Sequence, residues 1–299
     1  MASDCETQSY STVGWVFKLT TDFSSQTAIS TIARQTSTQL MDGIWMTGFA
    51  PAVDAAGNLY VTTGNGDATT QSPQDWGSSV IKIAPDLSAV TDSFTPADFA
   101  TLALHDGDFS SGGIMLLPTV AGQVSNPLAV AMGKQPILYL LDQTALGGYS
   151  STNKGAIQAL TLGTKAATGV WGGPAFYNGP AGPTVFYQKT DDFLTAYHLS
   201  SAAKPSLSIV AQGTSLSSNG GSMPVVTSNG SAPNTGVVWV VRRSSPPALE
   251  AYDATTLGNP IFQASVGTDY SIYHQAMVAN GRVYVGSNGR VYVFGLTAD

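Results

Sequence analysis

Short runs of β-branched and aromatic residues, each bounded by Gly, Asn, Asp or Pro, recur from end to end of the chain, and no stretch carries a sustained helical stripe. These runs predict strands over residues 15–19, 59–63, 80–83, 114–117, 137–141, 184–188, 237–241, 283–286 and 291–294. The nearest helical candidate, 98–104, is short.

The strands fall into similar groups. One reads PAVDAAGNLYVTTGNG and then SSVIKIAPDLSAV; another reads QAMVANGRVYVGSNGRVYVFGL, with the same order of strand, Asn/Gly turn, strand, turn and strand. Two further groups, LAVAMGKQPILYLLDQTALGG and GVVWVVRRSSPPALEAYDATTLGNPIFQAS, each close on a strand, an Asp-containing turn and another strand. A unit of several strands recurring about every 40 to 60 residues is the signature of a β-propeller. A four-stranded antiparallel blade cannot bury both of its faces alone and must stack on neighbours. The expectation is therefore an all-β propeller with about five recognisable blades, a single domain over residues 1–299 with incomplete units at both ends. Either the first and last strands complete one shared blade, or the chain is part of a seven- or eight-bladed ancestor.

Composition narrows the function classes. Thirty-two glycines with only 10% charged residues suit turn-rich β structure better than helices. A formal charge of −7, with 12 Lys and Arg scattered without a basic run, leaves no electrostatic footprint for nucleic acid. The single cysteine, Cys5, allows no disulfide within the chain. The opening MASDCETQSYS has neither a basic nor an apolar segment of signal-peptide type, and no apolar run approaches a membrane span.

Against that sparse background, HDGDFSSGGIMLLP stands out: His105, Asp106 and Asp108 precede paired glycines and an apolar run. A carboxylate here supplies a proton acceptor or a hard oxygen donor for Ca²⁺, so Asp108 is a candidate general base or metal ligand. The competing reading makes both acids solvated turn residues at a strand entry. Other templates fail: there is no GxSxG, Cys5 has no neighbouring His, and His105, His198 and His274 lack HExxH spacing. His198, after Tyr197 in a strand, reads more readily as structural than as a ligand.

The order GIWMTGFAPAVDAAGNLYVTTGNG, HDGDFSSGGIMLLP, AVAMGKQPILYLLDQTALGG resembles the pyrroloquinoline-quinone (PQQ) dependent alcohol dehydrogenases and the wider quinoprotein-like propellers. The resemblance covers roughly residues 12 to 296 and is clearest over 43 to 148. It implies Trp45 stacking on the quinone, Asn65 of the TGN turn on calcium, Asp108 as base and part of the metal site, and Lys134 on the quinone oxygens. It also implies a periplasmic or extracellular setting. In such a site a cation polarises a quinone carbonyl, a cationic side chain stabilises the reduced oxygen and a carboxylate takes the alcohol proton. The residues also admit plain readings: Trp45 as packing between blades, Asn65 as a left-handed hairpin residue, Lys134 as a solvated turn charge.

Departures from the enzyme pattern are equally visible. Only Glu6 and Glu250 are present, neither in the context of the family's calcium-binding glutamate, and there is no cysteine pair. Ser110 stands where lanthanide-using relatives carry a second Asp, so the implied metal is calcium. No CxxCH haem attachment occurs, so an enzyme would pass electrons to a separate acceptor. Two functions follow as expectations. One is a PQQ- and Ca²⁺-dependent oxidoreductase of alcohol or sugar hydroxyls; the other is a non-catalytic propeller serving as a ligand- or protein-binding or assembly module.

Overall fold

A computed structural model describes residues 12–32, 41–66, 76–119, 127–163, 168–218, 220–268 and 274–295; Cys5 and Glu6 lie outside them. The protein is all-β and built from antiparallel propeller blades. A single short α-helix, Phe99–Leu104, is present among the described residues. The chain divides into two compact units, one of Met1–Pro118 with Ser125–Ala166 and the other of Thr119–Val124 with Ala167–Asp299.

In the first unit a hairpin of β1 (Trp15–Leu19) and β2 (Gln26–Ser30) precedes two blades. The first blade is the meander β3 (Ala52–Val53), β4 (Leu59–Thr62), β5 (Val80–Ile83) and β6 (Val90–Thr95), with the short strand Gly148–Tyr149 added in parallel at the edge. The second comprises β7 (Ile114–Leu116), β8 (Leu128–Ala131), β9 (Ile137–Asp142) and β10 (Gln158–Thr161). Strand periodicity explains why the central runs are so apolar. Tyr60 faces a core with Val80, Phe94, Phe109, Ala129 and Tyr139, while its neighbour Val61 faces another with Met46, Ile81 and Ile83. Successive side chains point to opposite faces, so a strand with a neighbour on both sides is apolar at every position.

The second unit repeats this design. The meander β11 (Ala175–Gly179), β12 (Gly182–Gln188), β13 (Asp192–Leu199), β14 (Leu207–Ser217) joins a second meander β15 (Val225–Thr227), β16 (Val237–Arg242), β17 (Ala248–Asp253), β18 (Leu257–Ser265). A single parallel pairing, Gly213 with Gly258, links the two outer strands. A three-stranded meander follows: β19 (Ala276–Ala279), β20 (Arg282–Ser287) and β21 (Arg290–Gly295). Val238 and Val240 of β16 pack into the core shared with β11 to β13, whereas Val241 packs with Leu249, Val266 and Val283 on the other side.

Candidate functional site

The site lies in the first unit, where four turns meet. Trp45 opens a 3-10 turn over Met46–Gly48. Met46 and Thr47 both take positive φ, 42° and 44°, a conformation that a β-branched residue adopts only when its surroundings enforce it. Thr47 is anchored by its hydroxyl, which donates to the Ser111 carbonyl at 2.7 Å. Asn65 follows β4 in the Thr63-Gly64-Asn65 turn, whose backbone is tied to Gly43 and Ser78. Asp108 stands at the head of the 3-10 turn Phe109–Ser111, and Lys134 sits in the turn between β8 and β9.

The four residues singled out by sequence come together around one buried carboxylate. Asp108 is 0% exposed; its Oδ2 lies 2.6 Å from Lys134 Nζ and its Oδ1 accepts the Asn65 backbone N–H at 3.1 Å. The Lys134 backbone N–H donates to the Asp108 carbonyl at 3.1 Å, fastening one turn to the other. Lys134 Nζ also stands 5.8 Å from the centre of the Trp45 ring, in the range of a cation–π contact. Two further residues, absent from the set the resemblance implies, take part. Asp106 bonds Lys134 at 2.8 Å, and its other oxygen accepts from Asn65 Nδ2 at 3.3 Å. Ser110 lies buried beside them. Spacing within HDGDFSS was the available signal for both, since one turn carries them all.

Glycine makes the convergence possible. A Cβ on Gly64 would come within 2.8 Å of Asp108 Oδ1 and 3.3 Å of both Ser110 Oγ and Trp45 Nε1. A Cβ on Gly133 would meet the Asp108 carbonyl at 2.7 Å and Phe109 Cα at 2.6 Å. Any larger residue would drive the acidic turn away from Lys134.

Charge and hydrogen bonding are unevenly met. Burial alone would lower the Lys134 pKa, but the Asp108 and Asp106 carboxylates outweigh it and hold the ammonium above its ordinary value. Asp106 is shifted upward by partial desolvation and by the Asp108 carboxyl, against the pull of Lys134. Around the ion pair, the buried Trp45 Nε1, Asn65 Oδ1 and Ser110 Oγ have no hydrogen-bond partner among the described residues. Such atoms in one cluster mark a place suited to a polar ligand, since leaving each unmet costs about 1–3 kcal/mol.

The two implied groups fare differently here. A quinone matches the groups on offer: the Trp45 ring for its face, and the Lys134 ammonium and the Trp45 indole N–H as donors to its oxygens. Calcium does not fit these residues by themselves. It takes about six to eight oxygens, whereas the nearby carboxylates are already engaged by Lys134 and no group of three His, Cys, Asp or Glu side chains is placed to hold a metal ion among the described residues.

The other histidines stay outside this cluster. His105 is exposed at the end of the helix, and His198 and His274 belong to the second unit.

No protein-family model matches the chain, and no curated protein sequence does. Among solved structures it is similar to the quinohemoprotein alcohol dehydrogenase ADHIIG from Pseudomonas putida HK5, at 12% identity and a TM-score of 0.47, over 82% of this chain and 44% of that one. It is similar to the WD40 domain of Toxoplasma gondii coronin, at 9% identity and a TM-score of 0.44, over 80% and 52%. A europium-containing methanol dehydrogenase aligns at 14% identity and a TM-score of 0.36, over 85% and 47%. The chain spans about half the length of these structures. At this level the likenesses carry nothing about chemistry, which rests on the geometry above.

Proposed function

We propose that the first unit carries the hydroxyl-oxidising face of a PQQ-dependent dehydrogenase site for alcohols or sugars. The observation that supports this best is the buried Asp108 carboxylate, paired to Lys134 at 2.6 Å within a cluster of unmet polar atoms from Trp45, Asn65 and Ser110. A bound quinone would supply the two-electron sink, taking the carbinol hydrogen with its electron pair. Asp108 takes the hydroxyl proton as the O–H bond breaks and the C=O bond forms. From Asp108 the proton has a route outward, because Lys134 bridges it to Asp106, whose side chain is 67% exposed. Trp45 orients the ring plane, and Lys134 favours negative charge on the quinone oxygens. No step is assigned to calcium, for want of donors among the residues described. Electrons would leave to a separate acceptor.

The complete burial of Asp108 favours a second reading, in which the ion pair only fastens turns together and the propeller binds a ligand or protein partner. Titration with PQQ, followed by tryptophan fluorescence, separates the two, with dye reduction assayed on a panel of alcohols and sugars. Saturable quenching is expected, and Asp108→Asn should keep it while turnover falls by about 10²–10⁴. Absence of quenching at high micromolar quinone would remove the dehydrogenase reading. Turnover undiminished in Asp108→Asn would remove the base.

A further inference from the structure

In the second unit a cleft of about 230 Å³ opens at one end of the core between the two joined meanders. Tyr177, Thr184 and His198, all lining it, stand in one row: Tyr177 pairs with Thr184 across β11 and β12, and Thr184 pairs with His198 across β12 and β13. Directly paired residues project from the same face of a sheet. Three polar side chains therefore share one wall, set among Ala196, Val210 and Ala254.

The row is seated on glycines. Side chains at Gly179 or Gly236 would collide with the Tyr177 ring. Gly182, at φ +94°, has its absent Cβ position 2.8 Å from His198 Cε1. Tyr177 is 6% exposed, yet its buried hydroxyl bonds no described residue. Buried tyrosine hydroxyls ordinarily find a partner, and an unmet one costs about 1–3 kcal/mol. Thr184 donates its own hydroxyl to the Gly182 carbonyl at 3.2 Å, leaving its lone pairs to accept.

The walls define what the cleft can take. No Asp, Glu, Lys or Arg lines it, so a charged ligand would meet no countercharge. Cavities of about 150 Å³ with apolar walls admit benzene, so this one has room for a single ring with a substituent. We propose that the cleft is a binding site for a small neutral ring compound bearing a hydroxyl, of the phenol class. The ring lies against Ala196 and Ala254, and the hydroxyl bonds Thr184 and His198.

Phenol and toluene, matched in ring and differing in the hydroxyl, test this by ligand-observed saturation transfer and the ring ¹H–¹⁵N resonances of His198. Phenol should shift the His198 resonances and bind several-fold to about tenfold more tightly than toluene, the worth of one good hydrogen bond. Thr184→Val keeps the shape and removes the accepting hydroxyl, so it should fold normally and lose most of that preference. Ala181→Trp, at the exposed rim, should block both compounds. The proposal fails if phenol at millimolar concentration leaves His198 unmoved. It also fails if phenol and toluene bind the wild type alike, or if Ala181→Trp binds phenol as well as the wild type does.

Discussion

At the scale of single residues, the ion pair between Asp108 and Lys134 sets the energetics of the site. Both side chains are withdrawn from water, 0% and 9% exposed, so each needs the other. Lys134→Met would leave a buried carboxylate facing only the Asn65 amide, at a cost of about 3–5 kcal/mol. Asp106→Asn should change stability by less than about 1 kcal/mol, because solvent screens a pair in which one side chain is 67% exposed. The pH dependence follows from the raised Lys134 pKa. Its contribution is whole below the ordinary value of 10.5 and is lost as pH rises through the higher folded value. Guanidinium unfolding should therefore show a constant gap between wild type and Lys134→Met from pH 7 to 10, narrowing above 10.5. A gap under 1 kcal/mol at neutral pH would mean that the carboxylate has another partner. Lys134 and Asp108 were both legible in the sequence as chemistry-bearing residues. Their direct pairing was not, because they stand in turns of different strands and only tertiary packing brings the turns together. Asp106 was passed over for the same reason: its partners, Asn65 and Lys134, are distant in sequence.

At the scale of elements, every strand singled out in the sequence is present, the exposed Trp15–Leu19 and the outer Arg290–Gly295 included, and the central ones are the plainest. The runs at 59–63, 80–83, 137–141 and 237–241 each coincide with a strand to within a residue, because a strand covered on both faces is continuously apolar. The outer strand Leu207–Ser217 did not stand out. It reads LSIVAQGTSLS, with Ile209, Val210 and Leu216 exposed, and its order comes from pairing with Asp192–Leu199 rather than from its own pattern. The helical candidate matches Phe99–Leu104, one turn and a half that leads straight into the acidic loop. The polar core of Ala248–Asp253 is a further point that pattern could not reveal. Glu250, 0% exposed, accepts from Arg242 Nε at 2.8 Å, Gln263 Nε2 at 3.1 Å and Tyr252 OH at 2.6 Å. Every oxygen of that carboxylate is bonded, so it acts as a cross-strand clamp on three strands. Glu250→Ala strands the guanidinium and should cost about 3–5 kcal/mol, roughly 6–20 °C in calorimetric Tm for a domain of this size. Glu250→Gln keeps the shape and some of the bonds, and should lose less. Equal losses in the two variants would show that packing rather than charge holds the clamp.

At the scale of the whole molecule, the charge balance decides how the protein responds to metal. The chain carries a net charge of −7, yet the candidate site is nearly neutral, two carboxylates against one ammonium. Calcium would have to displace Lys134 from both carboxylates and find about four further oxygens to complete even a small coordination shell. Bulk negative charge gives no help at short range, since exposed charges are screened beyond about 8–10 Å at moderate salt. The expectation is therefore that about 1 mM calcium, compared with excess chelator, shifts Tm by no more than about 1–2 °C. A ligand present at its own Kd adds about 0.4 kcal/mol by mass action, whereas one at a hundred times its Kd adds about 2.7 kcal/mol. For a domain of this size the latter is a rise of roughly 5–10 °C. A rise of that order without quinone would establish a micromolar calcium site built with donors beyond the residues described, and would restore calcium to the reading of Asn65 and Asp108. A rise seen only when PQQ is added would instead mean that the quinone supplies the missing oxygens, with Asn65 Oδ1 as the protein's contribution. Differential scanning fluorimetry with calcium, PQQ and both together distinguishes the three outcomes, and Asn65→Ala, which removes an amide already short of a partner, should abolish only the last two.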